Sequence, residues 1–188
     1  VNGQRIYQEE EADNFATTLF PEPEIVDLGL SVKWASFNVG ATSPTELGRY
    51  IGWGDPTGLK ESKNYADYGY SSNSMNIGFN PNYDTAYAKW GKKWRMPTRA
   101  EFQELFEKTS VTFNSSTNCA VFTGENGKSI SIPYSGLVTI SSTVDQTGYG
   151  WYWTAECNQD KQPYLALLYN NINPSIELST MYFRMQIR

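Results

Sequence analysis

Apolar and polar residues alternate through the second half of the chain with the two-residue period of β-strands. Segments 120–123 and 128–132 flank Gly124-Glu125-Asn126-Gly127, a composition typical of a hairpin turn. Further strands are indicated at 148–154, 164–169, 176–178 and 182–187. An earlier strand is indicated around Trp34. The pattern therefore predicts a chain that is rich in strands after residue 111.

Two helices are predicted between these strand regions. Asp84 is placed to cap a helix that runs to Trp90 and ends at Gly91. Thr98 and Glu101 have the spacing of a capping box at the start of a second helix. Apolar side chains follow on one face of that helix, at Phe102, Leu105 and Phe106. Because Glu101 caps this helix, it is not interpreted as half of a catalytic carboxylate pair.

The order of these elements predicts the α+β class, with two main helices packed on antiparallel strands. The globular pattern begins at Ile25, so the predicted domain is 25–188. Residues 1–24 have a different composition, with an acidic run at 8–13 and the stiff sequence Pro21-Glu22-Pro23. They are interpreted as an extended acidic linker or arm. An acidic docking tail is the alternative.

Composition limits the chemistry that the chain can perform. It has 188 residues and no histidine, which excludes catalytic triads and metal sites that depend on histidine. The net charge of −5 argues against a nucleic-acid partner. No apolar run is long enough for a membrane span. Cys119 and Cys157 are the two cysteines, either bonded or buried as thiols, and no zinc-type spacing occurs. No metal and no cofactor are predicted.

Several motifs occur in order along residues 25–188. They are VDLGLSVKWA at 26–35, NVGA at 38–41, Trp53-Gly54, WRMPT at 94–98, GWYWT at 150–154 and Phe183-Arg184. Together they resemble the bacterial major paralogous domain (FISUMP) family. The chain ends in Arg184-Met185-Gln186-Ile187-Arg188, which departs from the usual ending of that family.

This resemblance implies a C-type-lectin-like domain whose first and last strands pair. It implies an exported bacterial protein on the cell surface, extracellular or at the outer membrane, anchored as a lipoprotein through a preceding lipidated segment. It also implies adhesion or ligand binding rather than catalysis. Gln162-Pro163-Tyr164 lacks the carboxylate that calcium-dependent sugar lectins use, so calcium-bridged sugar binding is not predicted.

Aromatic and amide side chains indicate where a ligand would bind. Trp151, Tyr152 and Trp153 alternate along a strand, so Tyr152 faces away from the two tryptophans and is a candidate stacking platform. The other candidate residues lie at a predicted turn over residues 170–174, on its neighbouring strands and in the long polar loop 56–82. The complete predicted ligand site is Tyr152, Tyr169, Asn170, Asn171 and Tyr182, with Tyr68 and Tyr70 at its rim. A polar turn without a ligand is the alternative.

The predicted function is therefore a surface module for cell adhesion or carbohydrate binding. Its partner would be a glycan or a surface protein of the host or of another bacterium, and no catalysis is expected. The first alternative is a structural or stalk-tip domain that displays other parts and has no ligand of its own. The second is an enzyme of the formylglycine-generating type, which also has a lectin-like appearance and paired cysteines.

Overall fold

Short antiparallel strands form most of the backbone. The structure is a computed structural model that describes residues 19–60, 74–139, 148–169, 172–179 and 183–188. Within these ranges the strands are β1 (Ile25–Val26), β2 (Trp34–Ala35), β3 (Ile51–Gly52), β4 (Ser110–Asn114), β5 (Cys119–Thr123), β6 (Ser129–Pro133), β7 (Tyr149–Cys157), β8 (Pro163–Tyr169), β9 (Ile172–Leu178) and β10 (Arg184–Met185). Two complete helices, α1 (Thr85–Trp90) and α2 (Arg99–Lys108), lie between β3 and β4.

The helix boundaries confirm the predicted capping residues. The side chain of Asp84 accepts a hydrogen bond from the Tyr87 N–H, and α1 ends at Gly91. Thr98 and Glu101 form the reciprocal bonds of a capping box at the start of α2. These short-range signals are reliable because each bond joins residues only three positions apart.

In the described part of the chain the strands form four antiparallel sheets, β1–β2, β3–β10, β4–β5–β6 and β7–β8–β9. The predicted hairpin is confirmed, because β5 pairs with β6 and Phe122 lies opposite Ile130. At its turn, a Cβ on Gly124 would lie 2.1 Å from the Leu28 carbonyl oxygen. Glycine is therefore required there for the hairpin to approach the N-terminal strands closely.

The sheet β7–β8–β9 lies between two apolar clusters and is covered on both faces. Trp153 and Leu165 belong to the first cluster, which also contains Trp53 and Trp90. Tyr152 belongs to the second cluster, which includes the buried side chains of α2 and of β5 and β6. The predicted alternation along β7 is therefore confirmed. Each side of the strand is core, which accounts for the near-continuous burial of β7.

The predicted fold class is wrong. The class is β-rich, with helices of only 6 and 10 residues, rather than an α+β arrangement of two main helices packed on a sheet. The first strand pairs with β2 and the last pairs with β3, so the first and last strands do not pair with each other. The C-type-lectin-like arrangement implied by the resemblance is overturned by the same findings. Capping signals show where a helix begins, but they do not show how much of the core it covers.

Two local strand predictions also differ from the structure. Residues 173 and 174, predicted as a turn, lie inside β9, and the predicted last strand shortens to Arg184–Met185. At the other end of the chain, packing begins before Ile25. Phe20 is buried in the first cluster, and Glu22 accepts a hydrogen bond from the Trp94 ring at 2.8 Å. The last residues of the predicted arm therefore pack against the domain.

Candidate functional site

Tyr152, the predicted stacking platform, has no surface to offer a ligand. It is fully buried, and its hydroxyl donates to the Pro133 carbonyl at 2.8 Å. The same hydroxyl accepts a hydrogen bond from the Asn38 amide at 3.1 Å. Burial raises the pKa of this phenol well above its usual value. Tyr152 is therefore a hydrogen-bonded core residue, and we leave it out of the candidate site.

Tyr169 is half-buried at the end of β8. Its ring centroid lies 4.6 Å from that of Tyr149, which in turn lies 6.1 Å from that of Trp151. The three rings are therefore neighbours on the paired ends of β7 and β8. The remaining predicted site residues, Asn170, Asn171, Tyr182, Tyr68 and Tyr70, lie outside the described residues. Their role as a binding site stays a prediction.

A polar groove lies at the opposite end of β8, about 17 Å from Tyr169 at about 3.3 Å per residue. It encloses about 440 Å³ between residues 74–76, the start of α2 and the turn that joins β7 to β8. We call this cavity the polar groove, and its lining residues are Ser74, Met75, Asn76, Arg99, Glu156, Cys157, Asn158, Gln159 and Tyr164.

Backbone pairing places one wall of the polar groove beside the other. The Cys157 N–H donates to the Met75 carbonyl at 2.9 Å, and the Ile77 N–H donates to the Ala155 carbonyl at 2.8 Å. These two bonds set Asn76 opposite Glu156. The short segment 74–77 therefore lies antiparallel beside the end of β7, although sequence periodicity alone does not indicate a strand there.

The floor of the groove is formed by the β7–β8 turn. Asn158 clamps this turn, because its side-chain oxygen accepts from the Gln162 N–H at 2.9 Å and its amide donates to the Gln162 side chain at 3.0 Å. Lys161 adopts a left-handed backbone with φ of 62°. The clamp holds Gln159 at the exposed tip of the turn and Tyr164 at the start of β8.

Arg99, Tyr164 and Glu156 form a charged and aromatic centre in the groove. The Arg99 guanidinium lies 3.9 Å from the centroid of the Tyr164 ring. Glu156 accepts a hydrogen bond from the Arg99 backbone N–H at 2.7 Å, and its carboxylate lies 3.6 Å from the Arg99 Nε. Cation–π and ionic contacts therefore order side chains that remain partly exposed to solvent.

Several hydrogen-bonding groups of the groove are left for a ligand. Among the described residues, the Glu156 Oε1, the Asn76 Nδ2 and the Gln159 amide have no hydrogen-bond partner. They supply both acceptors and donors beside the ring of Tyr164. This combination suits a ligand with many hydroxyl groups, since each hydroxyl both donates and accepts.

The groove does not resemble a redox or metal centre in the part of the chain that the structure describes. Cys157 and Cys119 are both buried, are not joined in a disulfide and lie in different sheets. Burial raises the pKa of the Cys119 thiol. Across the described ranges, no group of three acidic or cysteine side chains is placed to hold a metal ion.

Sequence reasoning missed this groove, although one of its signals was visible. The sequence Gln162-Pro163-Tyr164 lacks the carboxylate of a calcium motif, but its tyrosine contributes a ring to the groove. The capping box fixes the start of α2 and so the position of Arg99. No local signal brings Asn76 to this place, because its position depends on the pairing of segment 74–77 with β7.

Comparisons of the chain with family models, with curated proteins and with solved structures find no match. The resemblance to the FISUMP family therefore stays a prediction. Within the described ranges, no helix is long and apolar enough to cross a membrane.

Proposed function

We propose that the protein is a binding module that recognises a carbohydrate in the polar groove. One observation carries the proposal. An ordered tyrosine ring lies beside a carboxylate oxygen, two amides and a guanidinium, all lining one open cavity of about 440 Å³. Small-molecule sites combine an apolar or aromatic surface with a few polar groups that fix orientation.

The chemistry of sugars matches these groups. A sugar ring presents apolar C–H patches that pack on aromatic rings and hydroxyls that bond to amides and carboxylates. One face of Tyr164 is covered by Arg99, so the sugar would contact the remaining face and edge of the ring. Because the groove is open to solvent, its polar groups compete with water, and we expect weak affinity.

The resemblance to the FISUMP family supports a cellular location for this binding activity. Members of the FISUMP family are exported surface proteins, so we propose an extracellular or outer-membrane location and a role in adhesion or glycan capture. A glycan of a host cell or of another bacterium is the proposed partner.

The competing function is a display domain without a ligand of its own. It is favoured by the contact between Arg99 and Glu156, because these charged groups already satisfy part of each other's binding capacity. A display domain needs only a stable fold, whereas a binding module needs the unpaired amides of the groove.

A glycan array separates the two functions. We expect the protein to bind a restricted set of glycans, and Tyr164→Ala to weaken that binding by about tenfold, the loss of one central aromatic contact. Tyr164→Phe is the matched control, because it retains the ring and should bind as the unaltered protein does. Tyr169→Ala tests the other end of β8. Absence of binding to every glycan would favour the display domain. Loss of glycan binding in Tyr169→Ala but not in Tyr164→Ala would place the site at the Tyr169 end of β8.

A further inference from the structure

Strand β4 lies at the edge of its sheet, and each of its five residues is exposed. Exposed edges of natural sheets usually carry a charge, a proline or a bulge that prevents another strand from pairing with them. Residues 109–124 contain no charged residue and no proline, and β4 pairs with β5 in continuous register. The outer edge of β4 is therefore open to a further strand.

Hydrogen bonds inside the sheet show which way the backbone groups of β5 point. The Gly124 N–H donates to the Lys128 carbonyl at 2.9 Å, and the Tyr134 N–H donates to the Asn118 carbonyl at 2.9 Å. The backbone groups of successive residues in a strand point to opposite sides. Even-numbered residues of β5 therefore bond to β6, and odd-numbered residues of β5 bond to β4.

The same alternation identifies the backbone groups at the open edge of β4. The residues opposite the odd-numbered positions of β5 are Ser110, Thr112 and Asn114, so these three bond to β5. The N–H and C=O groups of Val111 and Phe113 therefore point away from β5. No hydrogen bond joins these groups to another described segment of the chain.

The side chains of Val111 and Phe113 continue the apolar face of the sheet to this edge. Val111 lies opposite Phe122 and Phe113 opposite Ala120, and both partners belong to the second apolar cluster. Val111 is nevertheless 45% exposed and Phe113 39% exposed. The Phe113 ring stacks on that of Tyr134, with 5.2 Å between the ring centroids. A further strand beside β4 would cover both exposed apolar side chains.

The sequence of β4 is complementary to itself in the antiparallel direction. Polar and apolar residues alternate in the same order from either end of the strand, with Thr112 at its centre. When two copies pair about a two-fold axis at Thr112, Val111 of each copy lies opposite Phe113 of the other. The open backbone groups of these residues then form four hydrogen bonds between the copies. Ser110 lies opposite Asn114, so polar side chains also meet polar side chains.

We propose that the outer edge of β4 binds a second copy of this chain. The two three-stranded sheets would join into one antiparallel sheet of six strands, with β4 of each copy at its centre. The contact is isologous, because the same residues contribute from both copies. Since only a short strand from each copy takes part, we expect a dimer that dissociates on dilution. The dimer does not depend on carbohydrate binding in the polar groove.

Sedimentation velocity and amide exchange of the full chain test the dimer and its location. As the concentration rises to about 1 mM, we expect the sedimenting mass to rise from one chain towards two. Amide exchange at Val111 and Phe113 should slow over the same range, while the Thr112 amide, already bonded to β5, should not change. A single chain at every concentration overturns the proposal. A dimer without slower exchange at Val111 and Phe113 overturns it as well, because the contact then lies elsewhere.

A pair of charge variants tests the two-fold register. Thr112 would face the Thr112 of the other copy, and its exposed side chain lies on the sheet face away from the second apolar cluster. Thr112→Lys and Thr112→Glu each place like charges opposite each other, and we expect each to weaken self-association by about fivefold. An equal mixture of the two variants pairs lysine with glutamate. We expect the mixed dimer to be about tenfold tighter than either variant alone.

Ser129→Lys is the matched control, because it adds the same charge to an exposed residue of β6, away from the edge of β4. It should associate as the unaltered protein does. Failure of the mixture to associate more tightly than each variant alone would contradict the register. Circular dichroism shows whether the variants are folded. If one unfolds, amide exchange at Val111 and Phe113 in the unaltered protein decides the question on its own.

Discussion

The polar groove and a second cavity of about 290 Å³ lie on either side of the first turn of α2, and their charged groups differ in burial and pairing. We call this second cavity the Arg188 pocket, after a charged residue that lines it. Arg99 points to the groove, while Pro97 and Glu101 line the pocket. In the groove, Arg99 and Glu156 are partly exposed and contact each other. In the pocket, Arg188 is buried and has only neutral partners. The start of α2 therefore lies between a solvated polar surface at Arg99 and a buried charge at Arg188.

This difference affects both stability and recognition. Exposed ion pairs contribute little to stability, so the groove can vary its polar groups at small cost. A buried guanidinium has to keep its hydrogen bonds, so a change at Arg188 would lower stability strongly. We therefore expect the groove to bind weakly through many hydroxyls, and Arg188 to contribute to stability rather than to ligand binding.

Replacing the arginine of each region by glutamine gives the largest expected contrast. Arg188→Gln should lower the free energy of unfolding by about 4 kcal/mol, because it removes two bonds from a charged donor and leaves the acceptors of Asn38 and Ser36 buried. Arg99→Gln should change it by less than about 0.5 kcal/mol. Urea denaturation of both variants measures the difference. Equal losses would show that the two regions are not distinct in this respect.

A second prediction concerns Asp84, whose carboxylate accepts a hydrogen bond from the N–H of Phe79, a residue that lines the Arg188 pocket. Burial raises the pKa of Asp84 from 3.8 to about 6, although backbone N–H groups of Tyr87, Met96 and Phe79 oppose the shift. The folded protein thus holds this proton more tightly than the unfolded chain. Stability from this group is fully present below pH 4, falls by about 3 kcal/mol as the pH rises to about 6, and is constant above that.

The contribution of Asp84 is isolated by comparison with Asp84→Asn. The unfolding free energy of the unaltered protein minus that of the variant should decrease between pH 4 and pH 6, since other carboxylates affect both proteins alike. A difference that stays constant with pH would mean that Asp84 has an ordinary pKa in the folded state. A difference that increases would mean that its backbone hydrogen bonds outweigh the effect of burial.

The smallest expected effect is at the helix start that the two regions share. Thr98→Ala removes the side-chain acceptor of the Glu101 N–H and should lower the unfolding free energy by about 1 kcal/mol. Thr98→Ser keeps the hydroxyl and is the matched control. Urea melts should show a lower midpoint with an unchanged slope. If Thr98→Ala matches Thr98→Ser, the capping box does not stabilise α2.

Sequence patterns predicted the features that depend on neighbouring residues. Asp84 and Thr98 marked the helix starts, and glycines marked the β5–β6 hairpin, because each signal acts over a few positions. Alternation along β7 correctly placed Tyr152 opposite the tryptophans. It could not show that a second cluster covers that face.

The same limit explains the wrong fold class and the missed groove. Which strands pair, and whether a short helix dominates a layer, depends on contacts between distant segments. Arg99, Glu156 and Asn76 meet only through such contacts. An aromatic strand predicts burial well, but it does not tell a core ring from a ring that binds a ligand.

Titration with an array-positive glycan, followed by amide NMR of the isotope-labelled protein, locates carbohydrate binding directly. The account predicts that the largest shifts occur at Asn76, Arg99 and Gln159, and that the amides beside Arg188 do not move. Largest shifts at Tyr149 and Tyr169 would contradict it and place the site at the other end of β8. No shift anywhere would contradict carbohydrate binding itself.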